Sequence, residues 1–233
     1  MRPGPDEPPA GPWRIETLAD FARALTKAAD RATGRPLILA IDGRGGAGKS
    51  SLAGRLLPAI PGSAVVHTDD VAWWHSRFGW SDLMADHVLT PLHAGGAVSF
   101  TPPAWRERGR PGSIEVPAGC SAVLVEGVGA SRQELIHLID VAVWVQSDFA
   151  HAEERGLQRD IERDGLDPAT ARHEWDEWMA EEIPFLSHDR PWERADFVVS
   201  GTPTQRHDPQ TQVVAAPPFL DRGSTGPASS GYA

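Results

Sequence analysis

The chain is 233 residues long, enough to bury a core and to make one α/β domain with appendages. Its formal charge of −10 argues against a nucleic-acid partner, because neutralising a phosphate backbone needs a basic surface, although a small anion can still be held locally. Cys120 is alone, so neither an internal disulfide nor a thiol-built zinc or redox site is available. No apolar run approaches the roughly 18 residues of a membrane helix, and the Pro-rich start lacks the apolar stretch of a secretory signal, so a cytoplasmic protein without a membrane partner is expected.

Residues 1–12 carry five prolines and are expected to be disordered. Leu18, Phe21, Ala22, Leu25, Ala28 and Ala29 fall at helical spacing, with Gly34 and Pro36 as stop signals. Leu37-Ile38-Leu39-Ala40-Ile41 reads as a buried strand. It runs into Gly43-Arg44-Gly45-Gly46-Ala47-Gly48-Lys49-Ser50, a complete G-x-x-x-x-G-K-S phosphate-binding loop followed by Ser51 and a helical pattern through Leu52, Ala53, Leu56 and Leu57. The physics of that arrangement is specific. Glycines let backbone N–H groups turn around nucleotide phosphates at a helix N-terminus, Lys49 adds a point charge at the β- and γ-phosphates, and Ser50 offers a hydroxyl to Mg²⁺. The chain holds only two lysines, Lys27 and Lys49, against twenty arginines, and one of the two sits where a compact ammonium is wanted.

After a Pro61-Gly62 turn, Ala64-Val65-Val66-His67 reads as a second strand with Asp69 and Asp70 at its C-terminal end, the edge at which open α/β sheets bind ligands. Asp69 is the candidate base that orients and deprotonates an acceptor hydroxyl, with Asp70 a helper toward Mg²⁺ or substrate and a turn or cap role the alternative. Residues 71–118 are irregular and are the candidate substrate-binding insert, with a helix expected from about Ser81 to His93. Trp73, Trp74, His75 and Trp105 are candidate pocket walls, and Arg106, Arg108 or Arg110 could grip an anionic acceptor. Stacking on a ligand and packing of a small subdomain are equally open for these aromatic rings.

Residues 121–127 form a third strand ending in Glu126, a candidate to hold Mg²⁺ through water. Ser131 and Glu134 make a capping box for a following helix. Val141–Val145 is a fourth strand. A helix from Phe149 to about Asp164 carries Arg155, Arg159 and Arg163 in one stripe, either a lid that reaches a transferring phosphate or a solvated face balanced by its acidic residues. Asp167-Pro168 opens another helix, whose Trp175, Trp178, Met179 and Ile183 are read as core. Residues 195–201 make a fifth strand, and from Thr202 a flexible tail is expected to residue 233. The organisation read here is therefore a domain over residues 13–201, with a lid-like helix at about 149–166. The alternation implies a P-loop NTPase three-layer α/β/α sandwich around a five-stranded, mostly parallel sheet.

Several segments together resemble the uridine kinase family of P-loop small-molecule kinases, the group that includes phosphoribulokinase. They are Ile41-Asp42 through Ser51, Val65-Val66-His67-Thr68-Asp69-Asp70, Val123-Leu124-Val125-Glu126-Gly127, the Arg155-to-Asp164 helix and Arg194 through Val199. The resemblance spans about residues 36–201. It implies ATP- and Mg²⁺-dependent phosphorylation of a small-molecule hydroxyl, with Asp69 in the catalytic-aspartate position and Lys49, Arg155 and Arg159 on the phosphates. The Phe-Tyr pair and Tyr-Asp that family members use to hold uridine are replaced here by Val71-Ala72-Trp73-Trp74 and Phe100-Thr101-Pro102-Pro103-Ala104-Trp105. A nucleoside is the first acceptor considered, with pantothenate-like alcohols, sugar phosphates, antibiotics and a non-catalytic ATP-binding role as alternatives. A homo-oligomer is compatible with all of them.

Overall fold

The computed structural model describes residues 1–29 and 34–220. Its centre is a seven-stranded sheet. In chain order the strands are β1 (Arg14–Thr17), β2 (Leu37–Gly43), β3 (Ala64–His67), β6 (Ala122–Glu126), β7 (Val141–Gln146), β8 (Phe197–Ser200) and β9 (Gln212–Ala216), while β4 (Val98–Phe100) and β5 (Ile114–Val116) pair separately as a small hairpin. Across the sheet the order is β1-β9-β8-β7-β2-β6-β3, parallel from β8 to β3 and antiparallel at the β9 and β1 edge. β2 thus lies between β7 and β6, and its C-terminal end is the middle of the ligand-binding edge.

Alternation along β2 sorts its side chains between two cores. Leu37, Leu39 and Ile41 join Phe21 and Leu25 of α1 (Leu18–Ala28) and Leu52 and Leu56 of α2 (Lys49–Ala59) on one face. Ile38 and Ala40 point the other way, toward Trp80, Met84, Val88, Leu92 and Trp105. A third cluster joins Trp144 and Val198 to Leu186 of α8 (Pro168–Asp189) and to Trp192. Asp167 caps α8 as its sequence indicates, accepting from the amides of Ala169 and Thr170 at 3.0 and 3.1 Å.

Several expectations are corrected. The sheet has seven strands rather than five, because β1 and β9 were not legible as strands; β9 lies in the expected flexible tail, of which residues 221–233 fall outside the described residues. Segment 1–12 is packed, not disordered: Glu7 is buried and its carboxylate accepts from Trp144, Gln146 and Arg44. The expected helix at 81–93 is present, but a π-turn at Ala85–Leu89 separates α4 (Ser81–Met84) from α5 (Thr90–His93). The capping box at Ser131 does not form. Ser131 is instead drawn to buried Asp42, Glu134 pairs with Arg132, and only a 3₁₀ turn at Ile136–Leu138 follows. Among the described residues, no helix is long and apolar enough to cross a membrane.

Candidate active site

The loop between β2 and α2 has the geometry of a phosphate cradle. Gly46 and Gly48 hold φ of +71° and +100°, which side chains with a Cβ adopt only with strain. A Cβ on Gly46 would also lie 2.0 Å from the carbonyl oxygen of Ala152, at the root of α7 (Phe149–Glu162). Lys49 is buried and its ammonium donates to the Arg44 carbonyl at 2.8 Å, so the charge is folded back over the loop. The Gly45 amide donates to Glu182 Oε2 at 2.7 Å, and burial pushes that carboxyl up against the pull of the Gly45 amide and Lys49. The Arg44 side chain does not join the cradle, to which this loop residue offers only its backbone. It is buried behind the loop, held by Glu7 at 3.1 Å and by the Pro5 carbonyl at 2.7 Å.

Beside the loop, Ser50 Oγ donates to Glu126 Oε1 at 3.1 Å, and His67 Nδ1 lies 2.6 Å from Glu126 Oε2. The register explains the meeting: Glu126 stands opposite both Ile41 and His67 in the parallel ladders, at the same sheet edge. Burial would raise the Glu126 carboxyl, yet its bonds to His67 and Ser50 and the charge of Lys49 hold it below the usual range; the same bond raises His67. A hydroxyl and an anionic carboxylate oxygen are suitable donors toward a hard divalent cation. Among the described residues no group of three or more His, Cys, Asp or Glu side chains could hold a metal, so Ser50 and Glu126 fit Mg²⁺ only if phosphate oxygens and water complete its shell.

A cleft of about 1280 Å³ opens over this edge, lined by Gly45, Gly46, Gly48, Lys49, Ser50, Ser51, Glu126 and Asp69. That is roomy for a nucleotide and a second small molecule, since single-ligand pockets run to roughly 1,000 Å³. Asp69 is exposed in the first turn of α3 (Thr68–Ala72). Arg155, Arg159 and Arg163 line the cleft from α7; Arg155 donates to the Gly201 carbonyl at 2.8 Å, while Arg159 and Arg163 pair with the adjacent Asp160 and Asp164. Arg163 is held above its ordinary value chiefly by Asp164, with Asp160 and Asp69 adding to it, so the arginine stripe and the Asp69 carboxylate share one field.

Most of the remaining sequence candidates lie elsewhere. Asp70 also borders the cleft, with its Oδ1 accepting from Arg110 at 2.5 Å, because Arg110 stacks on Trp105 and presents its guanidinium there. Trp105, on α6 (Pro103–Glu107), is core, its indole N–H donating to the Asp70 carbonyl. Trp73 packs against that core, Trp74 is 65% exposed beneath Arg108, and His75 bonds the Gly79 carbonyl. None of these borders the cleft, and neither do Arg106, Arg108 and Arg110. Its lining also includes Arg77, Glu174, Trp175, Glu177 and Trp178. Trp175 is buried and Trp178 packs against the third cluster, as the core reading of their helical spacing expects, and both also line the cleft. A core stripe and a pocket wall share that spacing, and only their position against Gly45 separates the two.

The site thus joins a phosphate loop at the centre of a parallel sheet to a carboxylate and an arginine-bearing helix across one cleft. No protein-family model matches the sequence, and no curated protein matches it. A solved structure described as a "putative fructose transport system kinase" from Silicibacter sp. TM1040 is 20% identical, over 77% of this chain and 95% of its own, with a TM-score of 0.54. A "possible uridine kinase" from Bacillus stearothermophilus is also 20% identical, over 78% of this chain and 98% of its own, with a TM-score of 0.49. At 20% identity and that TM-score, the likeness to the first of these is one of fold alone.

Proposed function

We propose that the chain is a kinase that transfers the γ-phosphoryl group of ATP, as its Mg²⁺ complex, to a hydroxyl of a small molecule. The observation that carries this reading is the convergence in one cleft of the phosphate loop, the Ser50–Glu126 pair, Asp69 and the α7 arginines. Bound Mg²⁺ would neutralise charge on the phosphates. The loop amides and Lys49 bind the β- and γ-phosphates, Lys49 exchanging its bond to the Arg44 carbonyl for phosphate oxygens. Asp69 accepts the hydroxyl proton as the new P–O bond forms and the bond to the ADP oxygen breaks. Arg155 and Arg159 lie against the transferring phosphoryl group and help to exclude water.

A nucleoside remains the first acceptor to test. The anionic acceptor favoured by Arg106, Arg108 and Arg110 loses support, since those side chains lie outside the cleft; the wall of Glu174, Glu177, Trp175 and Trp178 suits a neutral or cationic alcohol with an apolar face. The test is ATP consumption with Mg²⁺ across nucleosides, pantothenate-like alcohols, sugars, sugar phosphates and hydroxyl-bearing antibiotics. Lys49→Ala abolishes turnover. Asp69→Asn keeps ATP binding and lowers kcat by at least about 100-fold, within the usual contribution of a general base. Full activity in Asp69→Asn would remove that assignment, and turnover independent of every alcohol would favour a nucleotide-binding regulator.

A further inference from the structure

We propose that segment 1–12 is a working part of the nucleotide site, with Glu7 a positioning residue that sets the phosphate loop through Arg44; this rests on the kinase reading above. The segment crosses the sheet edge and is bonded at three places that matter for that reading. At the first, the Arg2 amide donates to Asp148 Oδ2 at 2.8 Å, and the Arg2 carbonyl accepts from the Phe149 amide at 2.9 Å. Asp148 caps α7, so residue 2 grips the root of the helix that carries Arg155 and Arg159. At the second, Gln146 at the end of β7 accepts from the Ala10 amide and donates to the Pro8 carbonyl, each at 2.8 Å.

The third is the centre of the device. Glu7 Oε1 accepts from the Trp144 indole at 2.6 Å and from Gln146 Nε2 at 2.8 Å, while Oε2 accepts from Arg44 Nε at 3.1 Å. Arg44 is only 2% exposed and is fixed again by the Pro5 carbonyl. Gly4 packs so closely that a Cβ there would lie 2.1 Å from Arg44 Nε. On the far side, Glu182 accepts the Gly45 amide and holds its other oxygen 4.0 Å from Arg44 Nη1, and neither of those two atoms has a hydrogen-bond partner. Arg44 is therefore strung between a carboxylate from segment 1–12 and one from α8, and the next peptide of the loop is bonded to the second.

A buried ion pair is a poor source of stability, since apolar residues of the same volume serve as well or better. What this one supplies is a fixed position for the second residue of the phosphate loop. Removing Glu7 leaves a buried guanidinium that must seek Glu182, drawing it from the Gly45 amide and loosening the cradle. The same segment holds α7, so loop and arginine stripe are set together.

Coupling of this kind is reciprocal, which gives a test on the unaltered chain. Amide hydrogen exchange at residues 2–10 slows severalfold when the protein is saturated with Mg²⁺ and a non-hydrolysable ATP analogue. Unchanged exchange there overturns the proposal. Titration calorimetry with the same analogue supplies the second test. Glu7→Gln keeps the volume and an acceptor for Trp144 but loses the charge on Arg44. It weakens nucleotide binding about tenfold in protein that circular dichroism shows to be folded at the assay temperature, and in an Arg44→Met background it changes affinity less than twofold. Affinity within twofold of the parent, or a loss accounted for by unfolded protein, sinks the positioning role alone. A parent chain that retains no nucleotide sinks the kinase reading and this proposal with it.

Discussion

Asp42 sits at the last turn of β2 before the phosphate loop, wholly buried, and accepts four hydrogen bonds: from the amides of Gly43, Gly129 and Ser131 and from the Ser131 hydroxyl, at 2.7 to 2.9 Å. Burial pushes its carboxyl up while those donors pull against the shift. Asp42→Ala would strand the donors in a dry site, and a loss of roughly 3–5 kcal/mol in urea unfolding is expected. Arg35 and Asp140 make a paired contact at 2.6 and 2.7 Å, and Asp140 also accepts the Ile38 amide. Burial would raise Asp140, but Arg35 and that amide hold it below the usual range. The depressed value means that its stabilising contribution is present above the ordinary carboxylate value near 4 and is lost as pH falls through the folded value. Asp140→Asn should therefore flatten the acid limb of a stability–pH curve and leave its slope above pH ~6 unchanged. The phosphate loop was legible in the sequence because its chemistry is carried by the backbone at fixed spacing. The role of Asp42 was not legible, since nothing local reveals that Gly129 and Ser131 fold back onto it.

The helices α7 and α8 show a different limit. Their existence, caps and arginine stripe were readable from periodicity and from Asp167-Pro168. Their contact was not. Gly156 faces Trp175 so closely that a Cβ would lie 1.9 Å from the indole. Gly156→Ala should push α7 away from α8, costing about 1–3 kcal/mol as an overpacked contact and raising the KM for ATP more than it changes the fold seen by circular dichroism. The insert at 71–118 was readable only as irregular. Packing, one of two open readings of its tryptophans, is what Trp80 and Trp105 do, because the sheet face bearing Ile38 and Val123 has no long helix to cover it. Arg110 then follows Trp105 by stacking, and so engages one oxygen of Asp70.

At the scale of the whole molecule, the central parallel strands were legible as apolar runs, whereas β1 and β9 were not. Arg14-Ile15-Glu16-Thr17 is mostly exposed, as an edge strand is, and Gln212–Ala216 is embedded in a polar, Pro-bearing stretch. β1 is a strand only through its pairing with β9, Arg14 opposite Ala215, and β9 is held on its other side by β8. Truncation after residue 202 should strip β8 of its neighbour, leave Val199 and Phe197 beside an open ladder, and give a protein that associates in light scattering.

That border also sets an order of assembly. β1 is synthesised long before its partner, which is made after all the parallel strands, so the join closes a loop spanning almost the whole described chain. Long closures are slow, and a join of this length belongs to the last stage of folding. A nascent chain halted before residue 212 would already hold the nucleotide cradle and yet carry an unsealed seam, exposed to a second molecule until the ribosome delivers the missing ribbon.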